Sequence, residues 1–166
     1  MKKRNLILFI IAVLLLTAGF LVLRPKPKAV HYHAGFLVYV DGVHQDFSDS
    51  KYDKIEPCTT SGSQPQENAQ LDKAHLHNNI GDVVHVEHTG AVWGDLFKNI
   101  HFAFKHDEPL RGFINEKEVP NILSYPIKAY DSVIFVVGSD SGIDLTKAVT
   151  KAHILEVEKK GESCGV

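Results

Sequence analysis

The sequence predicts an α+β protein: an N-terminal transmembrane helix, then a small mixed β-sheet roll with one short helix and a C-terminal helix. Three observations predict it. Residues 5–23, NLILFIIAVLLLTAGFLVL, hold 19 positions without a charge. Two segments alternate apolar residues with histidine, which is strand periodicity. The run 133–137, VIFVV, is apolar without alternation and bounded by Asp131 and Gly138, as in a strand buried on both faces.

As a helix, residues 5–23 span about 28 Å, close to the hydrocarbon thickness of a bilayer. Lys2, Lys3 and Arg4 precede the run and Arg24, Lys26 and Lys28 follow it, so the flanking charges nearly balance. The short N-terminal tail favours N-terminus inside and domain outside. Thr17-Ala18-Gly19 offers the small residues of a signal-peptidase site, so cleavage competes with anchoring. The apolar run continues to Leu23, which favours an uncleaved anchor over residues 1–23. The Pro/Lys stretch 24–29 is a stiff, solvated linker, and the extracytoplasmic domain occupies 30–166.

Every Asp and Glu lies beyond Arg24. The chain's 18 basic residues less Lys2, Lys3 and Arg4 leave 15 against 20 acidic ones, a balance of −5 for residues 24–166. With no basic stripe interleaved with aromatics, nucleic acid is not a partner this sequence favours. An acidic, His-rich body is compatible with cation binding.

Residues 30–47 predict a hairpin. Tyr32, Ala34, Phe36, Val38 and Val40 share an apolar face, and Asp41-Gly42 is a hairpin turn signal. His31 and His33 lie on the opposite face. Residues 59–72 are polar and predict an exposed loop. Residues 74–90, AHLHNNIGDVVHVEHTG, predict a second hairpin. By strand parity Ala74, Leu76, Val84 and Val86 share one face, and His75, His77, His85 and Glu87 the other. Ala91, Val92, Leu96, Phe97 and Ile100 predict a short helix. Residues 101–105 predict a strand, and 110–119 a further hairpin around Asn115-Glu116. Residues 144–160 predict a terminal helix that buries Leu145, Val149, Ala152 and Leu155, with Ile154 and Val157 as further candidates for that side and Thr150 able to cap a second segment. Strands flanking one short helix and closed by a buried strand are similar to a β-grasp roll, a likeness that carries no function.

Cys58 and Cys164 form no Cys-x-x-Cys pair. In an exported domain two cysteines predict a disulfide. The alternative is that one of them joins a metal site.

The segments HYHA (31–34), DFS (46–48), His75, His85, GAVWGDLF (90–97), 113–138 and the ESCG tail (162–165) resemble a family of small membrane-anchored extracytoplasmic proteins of ammonia-oxidising archaea and candidate-phylum bacteria. The resemblance covers nearly the whole domain and implies little about activity. Some members carry a disulfide-isomerase label, which a chain without Cys-x-x-Cys does not support. Members often have His at the position of Glu87. Here Glu87 is followed by His88, so either a carboxylate joins the ligand set or the metal geometry differs.

Neutral imidazole is a strong ligand for zinc, copper, nickel and iron. If His77 pairs with Val83 across the turn, His75 lies directly opposite His85, close enough for one metal to bridge. The predicted ligands are His31, His33, His75 and His85, with His77 or Glu87 as a fifth or alternate. Zinc or Cu(II) suits such a set. Cu(I) is disfavoured, because the only Met is the initiator. Affinity should fall as protons compete near pH 6.5, the ordinary histidine value. His44, His88, His101, His106 and His153 read as solvated or structural, with His101 nearest to a supporting role. Two other classes stay open. One is a metal-free cell-surface interaction module with an unknown protein partner. The other is a metal-dependent hydrolase with Glu87 as base, for which there is no His-Glu-x-x-His signature.

Overall fold

The computed structural model describes residues 13, 29–54, 70–104 and 108–160. The anchor segment 5–23 apart from Val13, both cysteines and His106 lie outside the described residues. Among the described residues no helix is long and apolar enough to cross a membrane.

The domain is mixed α+β, a curled mixed sheet with two helices. Its centre is a long strand, β1 (Ala29–Val40). One edge of β1 takes β3 (Val83–His88) along its first half and the short β2 (Val43–His44) at its end, both antiparallel. The other edge takes β6 (Ser132–Val137) in parallel, and β6 continues antiparallel to β4 (Leu110–Ile114) and β5 (Lys117–Glu118). Two predicted hairpins form with both turn residues left-handed, Asp41-Gly42 (φ 50 and 78) and Asn115-Glu116 (φ 50 and 63). That geometry matches the right-handed twist of the strands it joins.

The predicted alternation holds. Ala34, Phe36, Val38, Val84 and Val86 face one core, where helix α1 (Trp93–Asn99) adds Trp93, Leu96 and Phe97. Asp95 accepts a hydrogen bond from the Val92 amide (3.1 Å) and so closes the first turn of α1. The β6 run is buried as predicted, since both faces of the sheet are covered.

The opposite sheet face is not solvated. Residues 143–149 cross it, with Ile143, Leu145, Ala148 and Val149 packed against Leu37, Tyr39, Ile134 and Val83. Gly35 permits the close approach, because a Cβ there would meet Val149 Cγ1 at 2.8 Å. Helix α2 (Lys151–Lys160) follows, and Ile154 and Val157 bury beside Val83.

Three predicted elements differ. The helix predicted for 144–160 starts only at Lys151, because Asp144 Oδ1 ties Thr146 into a side-chain turn (2.6 and 3.0 Å). Thr150 Oγ1 then accepts from the His153 amide (3.2 Å), the cap the sequence allowed. Of the residues expected on its buried side, Ile154 and Val157 are buried, Leu155 is half-buried and Ala152 is exposed. The strand predicted at 101–105 is absent from its described part, residues 101–104. There His101 takes φ 55 to end α1, with Phe102 N–H on Phe97 O (3.0 Å) and His101 N–H on Lys98 O (3.3 Å). In the 74–90 hairpin only β3 is a continuous strand. Residues 74–76 run beside it through a single bridge, His75 to His85, and touch Asp53 through Leu76 on the far side.

Candidate metal centre

The site grows out of register. His33 lies directly opposite His85 on β1 and β3, and His75 lies directly opposite His85 on the other edge of β3. The three imidazoles therefore form one row across three neighbouring chain segments. The β1–β3 register shifts by one residue between Ala29 and Tyr32, a bulge that places Val30 and His31 against the single residue Glu87. A bulge bends the strand and re-aims a side chain. Here it brings the His31 ring over His85.

His85 is the hub. The His31 and His75 rings stack on it, with centroids 4.6 and 4.8 Å away and planes inclined by 28° and 20°. Because β1 and residues 74–76 flank β3 on opposite edges, these two rings sandwich the His85 ring. His33 and His77 meet it edge-on at 4.7 and 5.0 Å. His77 Nε2 lies 3.0 Å from His85 Nδ1, so one of the two nitrogens carries the shared proton. Glu87 Oε1 lies 3.9 Å from His85 Nε2.

The row is buried: His33 is 2% exposed, His75 3% and His85 1%. His77 and Glu87 are half-buried and His31 is exposed, so the cluster opens to solvent on the His31 side. Burial disfavours imidazolium. It brings His33 down to about 4, with the neighbouring His31 adding to the effect and Glu158 opposing it. His75 falls to about 3, first through burial and then through the Lys54 charge. His85 falls to about 2 through burial and the four surrounding imidazoles. The three rings are therefore neutral near pH 7 and keep lone pairs. His75 Nδ1 lies 3.0 Å from the Leu71 carbonyl, which can only accept. Nδ1 then carries the proton and Nε2 the lone pair, the second-sphere arrangement of metal-bound histidine.

Two triads bring one donor atom from each residue within 4.8 Å of the others: His31, His33 and His85, and His75, His85 and Glu87. Tetrahedral zinc, with nitrogen at 2.0–2.1 Å, places neighbouring ligands about 3.4 Å apart. In either triad no pair of donors stands more than about 1.4 Å further apart than that. His33 Nδ1 is buried with no hydrogen-bond partner among the described residues. Such an unmet group costs roughly 1–3 kcal/mol, which a bound cation would relieve. The donor set fits a borderline metal.

The structure thus gathers all six sequence-predicted residues into one neighbourhood; five of them form two triads that share His85, rather than one four-nitrogen cage, and His77 joins through its contact with His85. The other described histidines stand apart. His44 packs on Tyr39 (5.4 Å), His153 pairs with Asp82 (3.1 Å), and His88 approaches Asp72 (3.8 Å). His101 is exposed at the end of α1.

Two neighbours had no signal in the sequence. Lys54, its side chain 7% exposed, sets Nζ 2.6 Å from Asp72 and 3.2 Å from Glu87, so the candidate carboxylate ligand already has a cation beside it. Glu158 on α2 accepts from the Tyr130 hydroxyl (3.1 Å) and acts on His33 through its charge. A further buried network holds the strip that carries His75. Asn99 Nδ2 donates to the Gln70 and Ala74 carbonyls (2.8 and 2.7 Å), and Gln70 and Lys73 reach Asp95 (3.1 and 3.2 Å).

No family model matches the chain, and no curated protein or solved structure is found to be similar to it.

Proposed function

We propose that this protein binds a transition-metal ion, zinc or copper, through the histidine cluster on β1, β3 and residues 74–77. One observation carries the reading: His33, His75 and His85 stand in one row, buried and neutral, with His33 Nδ1 left without a hydrogen-bond partner among the described residues. A buried polar row of this kind is costly unless something satisfies it. A cation offered five imidazoles and a carboxylate would do so. His85 is the ligand common to both triads, with His31, His33, His75, His77 and Glu87 as its partners.

The apolar segment 5–23 supports a single-pass anchor that holds this β-grasp-like domain on the extracytoplasmic side, as in the membrane-anchored family it resembles. A carrier, a sensor and a metal-stabilised surface module share this chemistry. Purified full-length protein, dialysed without chelator, should retain zinc or copper by elemental analysis. Calorimetric titration of the stripped protein should give binding that EDTA reverses. Protein that keeps no metal and shows no heat with either ion would leave a metal-free interaction module as the reading. Protease added to intact cells should degrade the domain; resistance until the membrane is opened would refute the topology.

A further inference from the structure

The two triads share His85, and they approach it from opposite sides. His31 and His33 belong to β1, and His75 belongs to the strip on the far edge of β3. His33 and His75 are therefore two strand spacings apart, about 9–10 Å. The His85 ring stands between them, stacked by His31 on one face and His75 on the other. Donors also lie at both of its nitrogens, with His77 Nε2 3.0 Å from Nδ1 and Glu87 Oε1 3.9 Å from Nε2. The donor atoms of His31, His33, His75 and His85 fall into two groups that share His85, not into one.

We infer that the cluster is a two-ion site in which His85 is the bridging ligand. One ion would lie with His31 and His33 and the other with His75 and Glu87, each in the plane of the His85 ring at one of its two nitrogens. The inference rests on the metal-binding reading above and specifies it. Bridging requires both nitrogens of His85 as donors. Neutral imidazole holds one proton, which leaves to the buffer as the second ion binds, and the imidazolate so formed carries one negative charge between the two cations. Glu87 adds a second negative charge on the far side. Lys54, 3.2 Å from Glu87, competes for that carboxylate, so the far ion is the weaker of the two. The orientation of His75, with Nδ1–H on Leu71 O, already presents Nε2 to that ion.

The test uses full-length protein in detergent and Cu(II) alone as probe. Expected are two copper ions per chain, bound in two steps of different affinity. The frozen-solution EPR signal of the loaded protein should integrate to well under two spins per chain, because imidazolate couples the two ions. His75→Ala and, as a second and milder variant, Glu87→Gln should each hold one ion with a full one-spin signal. Saturation at one copper in the parent overturns the two-ion site while leaving metal binding in place. Two coppers with two full spins overturn the bridge. A second ion that survives in both variants also overturns it, since that ion must sit elsewhere. No copper bound at all removes the metal reading itself.

Discussion

His75 and His85 exchange both backbone hydrogen bonds, 3.0 Å from the His75 amide and 2.9 Å from the His85 amide, and their rings stack at 4.8 Å. This is the only bridge that ties residues 74–77 to β3 among the described residues. The contact that aligns two candidate ligands is therefore also the contact that places the strip. Ligand geometry and local fold stand or fall together here.

Replacing both His75 and His85 with Ala should abolish high-affinity binding of zinc and copper, as read by calorimetry. Each ring is buried and stacked, so the change should also destabilise the protein, by roughly 1–3 kcal/mol per site in urea unfolding. His153→Ala, at the Asp82 pair on α2, should leave binding unchanged and stability within about 0.5 kcal/mol. Binding by the double variant equal to that of the parent would count against the whole cluster.

Acid should destabilise the metal-free protein through these same rings. Their folded values, about 4 for His33, 3 for His75 and 2 for His85, lie below the ordinary 6.5. The unfolded chain therefore binds more protons than the folded one in the window between, and stability rises with pH there. It should be fully present above pH 6.5 and decline steadily toward pH 4, with proton uptake on unfolding. Urea midpoints in EDTA from pH 7.5 to 4.5 check this, and a flat profile would contradict it. For the same reason protons should compete with metal at a lower pH than the 6.5 that free histidine suggests.

Lys54→Met should be among the most damaging single substitutions. It leaves the buried Asp72 and the half-buried Glu87 without their shared cation, and breaking a buried pair this way costs about 3–5 kcal/mol. It also removes the charge that helps to keep His75 neutral, so the His75 value should rise. Thermal unfolding and a histidine NMR titration would read the two effects separately. A variant as stable as the parent would show that the ion triad is not structural.

The purified, oxidised protein should contain a Cys58–Cys164 disulfide. Closing a loop of roughly 100 residues stabilises by about 4–5 kcal/mol in the chain-entropy model. Non-reducing peptide mapping by mass spectrometry decides it, and two free thiols would refute it.

Much of this molecule is legible in the chain alone, because strand alternation is local. Ala34, Phe36 and Val38 opposite His33, and Val84 and Val86 opposite His85, need only the period of two to be sorted onto faces. The Asp41-Gly42 turn, the buried 133–137 run and the opposition of His75 to His85 follow from turn chemistry and parity in the same way. Parity says which residues share a face but not what covers it. The cover over Leu37, Tyr39 and Val83 on that face is decided by the return of residues 143–149 and α2, far away in sequence, and by the space Gly35 leaves for Val149, while the His85 ring is enclosed by the rings of His31 and His75. Lys54 reaches Glu87, 33 residues away, only because the chain closes around β3. The bulge that swings His31 over His85, and the division of five candidate ligands into two triads about one ring, are likewise properties of strand pairing. Residue spacing within a segment fixes which donors point the same way; only packing between distant segments fixes how far apart they stand, and with it their charge and the ions they could share.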